Sequence, residues 1–333
     1  MALKIAINGF GRIGRCVARI AADRDDVEVV AINDTASMEM MVYLLQNDSV
    51  HGSFGHDVEV IDESHLRIAG KSVRIFCDRD PKNLDFAAAG ATIVLECTGA
   101  ILTQEKAQAH LDNGIEKVLF SAPAKDETPT FVMGVNESDY AGEKIVSNAS
   151  CTTNCLGPIA KILDDAFGIE KGLMTTIHSY TNDQNILDVK HKKDKRRARA
   201  GAINMIPTTT GAAKAIGLVL PHLKGKLNGQ SVRVPTPNVS MVDLNVIVKK
   251  ETTADQVNAV FTAQAAQEHR GLILMDTQMR VSQDFVGSTY SSIIAQDLTQ
   301  VLGGNMVKVM AWYDNEWGYS CRLIDMALHI SKK

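Results

Sequence analysis

Residues 3–14, Leu3-Lys4-Ile5-Ala6-Ile7-Asn8-Gly9-Phe10-Gly11-Arg12-Ile13-Gly14, decide the fold. An apolar run, a buried strand over Lys4–Asn8, passes into G-x-G-x-x-G and then into a helical stretch over Gly14–Asp23. Glycine-rich turns are common. This one follows a strand, opens a helix and precedes a second buried strand, Val27–Asn33, that ends in Asp34. In that setting Gly9 makes the tight turn, Gly11 lets backbone approach a pyrophosphate, and Gly14 permits close helix–strand packing. A dinucleotide's pyrophosphate is expected against the free N–H groups at the helix start. The Asp34 carboxylate is expected to accept from the adenosine ribose hydroxyls.

Further short apolar runs at Thr92–Cys97, Val118–Ser121 and Ile145–Ser147 alternate with helical patterns. Such spacing predicts α/β architecture, a Rossmann-type doubly wound parallel sheet covered on both faces. Alternation over Val58–Phe76 suits an antiparallel excursion. After Cys151 the pattern changes. Thr152–Phe167 is read as a helix, Leu173–Tyr180 as a strand, and Thr181–Asn204 as a long basic loop, a length that in a compact domain signals function. Ser231–Val248 alternates as a strand interrupted by Pro235 and Pro237. Thr253–His269 is an amphipathic helix, and Leu272–Met275, Thr289–Ile294 and Val307–Tyr313 are strands. The last helix, Trp317–Ser331, returns to the first domain. The expected division is therefore residues 1–150 with 316–333 as the dinucleotide-binding domain. Residues 151–315 form an α+β second domain with a mainly antiparallel sheet.

The 333 residues exceed what one core usually supports. Composition is that of an ordinary globular chain, and the net charge of -4 excludes a whole-protein basic field for nucleic acid or anionic lipid. No apolar run approaches the roughly 18–20 residues of a membrane span. The first strand starts with no charged segment, apolar stretch and cleavage site before it, so a secretory signal is not expected. Six scattered cysteines fit a reduced, cytoplasmic setting, and none has metal-site spacing.

Cys151 stands out among them. Ser147-Asn148-Ala149-Ser150-Cys151-Thr152-Thr153-Asn154-Cys155 joins a strand to a helix, placing Cys151 at the helix N-terminus. Free N–H groups and the dipole there favour thiolate, the nucleophilic form. His178, at the polar end of the strand Leu173–Tyr180, is the candidate base. Cys155, one turn on, is read as a core-facing residue, because cysteines at that helical spacing rarely have disulfide geometry.

Two stretches suit anions. The basic loop carries Lys190, His191, Lys192, Lys193, Lys195, Arg196, Arg197 and Arg199 without the interleaved aromatics that stack nucleic-acid bases. Thr208-Thr209-Thr210-Gly211 opens a helix, and Arg233 lies in a strand beside Thr236. Guanidinium groups and hydroxyls at a helix start suit phosphate.

The segments INGFGRIGR, SNASCTTNCLGP, HSYTNDQ, RRARAGAINMIPTTTGAAKAIG, RVPTPNVS and WYDNEWGYS resemble those of phosphorylating glyceraldehyde-3-phosphate dehydrogenases, and they run over essentially the whole chain. The resemblance implies a homotetramer that oxidises glyceraldehyde 3-phosphate with NAD and inorganic phosphate, making the second domain catalytic. Cys151 would be the nucleophile and His178 its base. Thr181, Asp183 and Arg233 would hold the substrate's phosphate, with Arg197 nearby. Ser150, Thr152, Thr210, Gly211 and Arg197 would hold the inorganic phosphate. Cofactor contacts would come from Arg12, Ile13, Asp34, Arg79, Ser121 and Asn315, with the glycines of the loop. In the basic loop Val189-Lys190 stands where NAD-specific members usually carry a leucine–proline type pair, which leaves NADP use open. The alternatives are erythrose-4-phosphate dehydrogenase and, in another class, an RNA-binding protein using the basic loop.

Overall fold

The structure, a computed structural model, describes residues 2–192 and 194–333. Lys193 of the basic loop lies outside them. The chain forms two compact units, Met1–Phe131 with Glu137–Ser150 and Ser320–Lys333, and Val132–Asn136 with Cys151–Tyr319.

The first unit is built on an eight-stranded sheet. Its order is Ile145–Ser147, Lys117–Phe120, Ile93–Glu96, Leu3–Asn8, Val27–Asn33, Lys71–Phe76, His65–Ile68, Val58–Asp62. The first six strands pair in parallel, and the last two are the antiparallel excursion. Ile93–Glu96 and Lys117–Phe120 are buried along their whole length, as strands covered on both faces must be. Ala6, Val94, Val118 and Phe120 pack with Phe86, Ile101 and Leu102 in one core cluster. Leu3–Asn8 is flanked by Val27–Asn33 on one side and Ile93–Glu96 on the other. Strand order reverses there, and in open α/β sheets ligands bind beyond the strand ends at such a point. The first helix begins at Arg12 rather than Gly14, and the helix Met38–Gln46, capped by Ser37, has no counterpart in the sequence pattern. Its exposed Met40 and Tyr43 blur the apolar period.

The second unit carries a sheet ordered Ile206–Thr209, Leu227–Val234, Ile169–Ser179, Ser240–Val248, Met306–Tyr313, Ser292–Ala295, Ile273–Asp276. It is mainly antiparallel, but two pairings are parallel, Ile169–Ser179 with Leu227–Val234 and Ile273–Asp276 with Ser292–Ala295. The single strand expected over Ser231–Val248 is two strands, Leu227–Val234 and Ser240–Val248, lying on opposite edges of Ile169–Ser179. Pro235 and Pro237 fall in the connection, where their missing N–H groups break no ladder. This crossing sets His178 directly opposite Arg233 in the parallel register.

Helices Cys151–Phe167, Ala212–Val219 and Ala254–Ala266 accompany the sheet, the last opened by a capping box of Thr253 and Gln256. The first of these starts at Cys151 itself. Among the described residues, 181–204 contain no helix or strand beyond an isolated bridge between Asn185 and Ala200. Among the described residues no helix is long and apolar enough to cross a membrane.

Candidate active site

In the first unit the three glycines divide their labour by geometry. Gly9 has φ of +97°, and a Cβ there would meet the Thr98 amide nitrogen at 2.8 Å. At Gly14 a Cβ would lie 2.3 Å from the Gly9 carbonyl oxygen, so a side chain would push the helix off the loop. Nothing lies within 4 Å of a Cβ at Gly11, and this helix N-cap has no side-chain hydrogen bond. An open backbone face at a helix start suits a pyrophosphate. The Asp34 carboxylate accepts from the backbone N–H of Phe10 at 2.7 Å and of Ala36 at 2.9 Å, fixed against the glycine loop. Each oxygen keeps a lone pair for a ribose hydroxyl. These residues fit a dinucleotide.

Arg12 is half-buried, and its guanidinium is bound bidentately to Asp48. Burial raises the Asp48 pKa, but Arg12 and the N–H groups of His51 and Val50 outweigh it and bring the carboxyl down to about 2. Any contact of Arg12 with a pyrophosphate is thus left mainly to its backbone. Ile13 is half-buried, Arg79 is exposed in the turn after Lys71–Phe76, and the Ser121 hydroxyl donates to the Glu96 carbonyl at 2.9 Å. Beneath the loop lies a polar chain that the sequence pattern does not single out. Asn33 donates to Asn8 at 2.7 Å, Asn8 to the Glu96 carboxylate at 2.6 Å, and the Thr98 N–H to the same carboxylate at 2.9 Å. The available signal is the polar residues closing otherwise apolar strands.

In the second unit the Cys151 sulfur lies 3.6 Å from Nε2 of His178. Ala149, just before the helix, has φ of 55°, a left-handed conformation that a non-glycine residue adopts only at a cost. His178 is buried, and its Nδ1 lies 2.7 Å from the Ser179 carbonyl oxygen and 2.6 Å from Nη1 of Arg233. Burial and the Arg233 charge pull the imidazole down to about 3, so the ring is neutral. Burial pushes the Cys151 thiol up, against Arg233 and hydrogen bonds from Thr152. Desolvation thus works against the thiolate that the helix start and the Arg233 charge favour.

Tyr313 ties the two halves of this pair together. Its buried hydroxyl lies 2.9 Å from the hydroxyls of Thr152, beside the cysteine, and of Thr176, two positions before the histidine. Its ring stands edge-on to the His178 ring at 6.0 Å. Tyr313 has no role in the sequence reading, because its partners come together only through tertiary packing. Asn315 is placed by a similar frame. Its side-chain oxygen accepts from Ser179 at 2.9 Å and Ser240 at 2.8 Å, which turns the amide nitrogen away from them. The neighbouring Asp314 is buried and accepts from the N–H groups of Gly287, Glu316 and Trp317 and from Asn238.

The basic loop is folded on itself. Arg197 donates to Asp183 at 2.7 Å, to the Thr208 hydroxyl at 2.7 Å and to the Thr209 carbonyl at 3.2 Å, and Arg199 pairs with Asp188 at 2.7 Å. Thr181 is joined to Asp183 through Gln184 and a 3.4 Å contact. Asp183 and Arg197 are thus one ion pair. The Thr210 hydroxyl accepts from the Ala212 N–H at 3.2 Å, and Gly211 is the next helix's N-cap, with open space where a Cβ would be. Ser150 is half-buried.

A dinucleotide sheet carried with a second unit of this kind defines a nicotinamide-dependent oxidoreductase that acts on an aldehyde. Family models narrow this. The "Glyceraldehyde 3-phosphate dehydrogenase, NAD binding domain" matches residues 3–104 and the C-terminal domain matches residues 150–315. Glyceraldehyde-3-phosphate dehydrogenase of Geobacillus stearothermophilus is 52% identical over 100% of this chain and 99% of its own length. Glyceraldehyde-3-phosphate dehydrogenase 1 of Bacillus subtilis is 52% identical over the same shares. Chloroplastic glyceraldehyde-3-phosphate dehydrogenase A of Chlamydomonas reinhardtii is 51% identical over 99% of this chain and 89% of its own. The chain belongs to the glyceraldehyde-3-phosphate dehydrogenase family, and its cofactor is NAD.

Proposed function

We propose that the chain oxidises glyceraldehyde 3-phosphate in the presence of NAD and inorganic phosphate to 1,3-bisphosphoglycerate, through a thioester on Cys151. The observation that carries this reading is the 3.6 Å approach of the Cys151 sulfur to His178 at the head of a helix. His178 Nε2 takes the thiol proton as the sulfur adds to the aldehyde carbon. The tetrahedral oxyanion is stabilised by the Cys151 N–H and by the protonated Nε2. The glycine loop, Arg12, Ile13, Asp34, Arg79 and Ser121 would hold NAD, with Asn315 for the nicotinamide carboxamide, and NAD would supply the hydride acceptor. The thioester is cleaved by inorganic phosphate near Ser150, Thr152, Thr210 and Gly211, and the sulfur leaves to regenerate the thiol. A steady-state assay with both aldehyde phosphates, with and without inorganic phosphate, tests the reading. Faster turnover of erythrose 4-phosphate, or no dependence on phosphate, overturns it.

Arg233 is assigned to the substrate's phosphate, with Thr181, Asp183 and Arg197. Replacing Arg233 by leucine should depress kcat/KM for glyceraldehyde 3-phosphate by about 10²-fold or more, the loss expected for charge-assisted hydrogen bonds to a phosphate. Turnover of unphosphorylated glyceraldehyde should fall far less. Equal losses for the two aldehydes would remove Arg233 from that role.

NAD is expected to be the main cofactor, because the Asp34 carboxylate repels a 2′-phosphate. Lys190 is exposed and offers a point charge for that phosphate. Appreciable NADP turnover is therefore expected, and Lys190→Pro should lower kcat/KM for NADP while sparing that for NAD. Negligible NADP use by the native protein, or no change in the variant, argues against this.

Assembly as a homotetramer belongs to the same proposal, supported by Ile186, Leu187, Ile203 and Met205, apolar residues exposed at 84%, 76%, 79% and 76%. Cytoplasmic residence is supported by six free cysteines. Against RNA binding stand Asp183, Asp188 and Asp194, which pair with the loop's own arginines.

A further inference from the structure

Within the first unit, Asp78, Asn33, Asn8 and Glu96 each stand beside a residue assigned to the cofactor. Asp78 precedes Arg79, Asn33 precedes Asp34, and Asn8 precedes Gly9. The Glu96 carbonyl accepts from the Ser121 hydroxyl at 2.9 Å. These residues are joined from one strand end to the next. The Asp78 N–H donates to the Asn33 side-chain oxygen at 3.0 Å. The Asn33 amide donates to the Asp78 carbonyl at 2.9 Å and to Asn8 at 2.7 Å, and the Asn8 amide donates to Glu96 Oε2 at 2.6 Å. On the far side the Thr98 N–H donates to Oε1 at 2.9 Å, and the Thr98 hydroxyl donates to the same oxygen. A Cβ on Gly9 would press on that same Thr98 nitrogen. Asn8, Asn33 and Glu96 are buried.

The direction of every hydrogen bond in this chain is forced. Both ends are backbone N–H groups, of Asp78 and Thr98, and a backbone N–H only donates. Both ends therefore point inward. A carboxamide that accepts on one side donates on the other, so Asn33 and Asn8 pass the direction along unchanged. Where the two directions meet, one group has to accept from both sides, and an ionised carboxylate, which has no donor, is suited to that place. Glu96 occupies it. Nε2 of the buried His110 lies 3.6 Å from Oε2, beyond hydrogen-bond reach, and takes no part in the chain.

We propose that Glu96 is a positioning residue for NAD. As the acceptor on which the chain closes, it ties the ends of Leu3–Asn8, Val27–Asn33 and Ile93–Glu96 to the turn at Asp78. The places of Gly9, Asp34, Arg79 and Ser121 are thereby set before the dinucleotide arrives. This rests on the assignment of those residues to the cofactor and adds what holds them. Glu96 acts through Asn8 and Thr98, not on the dinucleotide itself.

The test is calorimetric titration with NAD across a set of variants that move the acceptor. Glu96→Gln keeps the shape but brings a donor, so two donors face each other on one side. NAD affinity should fall by about 10-fold or more, the order expected when a buried donor loses its acceptor and binding has to restore the loop. Asn8→Asp alone sets two carboxylates against each other and should weaken NAD as well. Together, Asn8→Asp and Glu96→Gln shift the acceptor one place along the chain, and every bond can form again. Affinity in the double variant should return close to the native value, a coupling that independent sites do not show. Amide hydrogen exchange without NAD should rise over residues 8–14 and 77–80 in Glu96→Gln and return in the double variant. Asp34→Ala is the control for direct contact. If it leaves NAD affinity untouched, the assignment of the loop to NAD fails and the proposal falls with it. If Asp34→Ala weakens NAD and Glu96→Gln does not, the proposal alone is overturned. A Glu96→Gln variant that loses Tm but keeps its NAD affinity overturns it too, as does a double variant no better than the single ones. Should Glu96→Gln not fold, the double variant decides, because its chain is complete: native-like NAD binding supports the proposal and its loss refutes it.

Discussion

Replacing Cys151 by serine is expected to abolish dehydrogenase turnover, a fall on the order of 10⁴–10⁶-fold, as when other enzymes lose their nucleophile. The site as built is already unfavourable to charge. Burial pushes the thiol up, and an alcohol, intrinsically far less acidic, has no means of ionising beside a neutral imidazole at near-neutral pH. Oxygen in place of sulfur also gives an ester rather than a thioester, which inorganic phosphate attacks poorly. The residues that shape the cofactor loop, Gly9, Gly14 and Asp34, belong to the other compact unit, so NAD affinity should be preserved. Initial rates of NADH formation together with a calorimetric NAD titration make the measurement. Substantial turnover in the variant would remove Cys151 from the chemistry.

His178→Asn should cost about 10²–10⁴-fold in rate, the span for losing a positioned acid–base group. The more telling readout is pH. Native His178 is depressed to about 3 by burial and Arg233 and so is available in neutral form across the working range. Without it, the sulfur has to ionise to solvent against a pKa that burial has raised. The rate should then climb with pH well into the alkaline range, where the native profile has levelled. A native-like profile in the variant would show that another group is the base.

The glycine loop, both sheets and the cysteine–histidine pair were legible in the sequence because each rests on a local pattern. Ile5, Ile7, Val29 and Ile32 advertise buried strands by composition, and Gly9, Gly11 and Gly14 by spacing. Cys151 and His178 declare themselves by polar settings at element ends. How strongly burial acts on that pair was not legible, since it follows from how deeply tertiary packing encloses both groups. Nor were the partners of the candidate ligands. Asp48 commits Arg12, and Asp183 commits Arg197, through residues whose proximity no spacing encodes. The split of Ser231–Val248 was hidden for a related reason. Pro235 and Pro237 mark an interruption but do not say that the chain has crossed to the other side of its neighbour.

That crossing governs when reactivity appears during folding. The strand Ile169–Ser179 receives one neighbour from Leu227–Val234 and the other from Ser240–Val248, and the ring over the site comes from Tyr313. None of these contacts is local, and parallel pairing requires a long connection to close before any ladder bond forms, which makes such topologies slow. Until those pairings form, the cysteine has neither its base nor the neighbouring arginine beside it, and its thiol is set apart by little else.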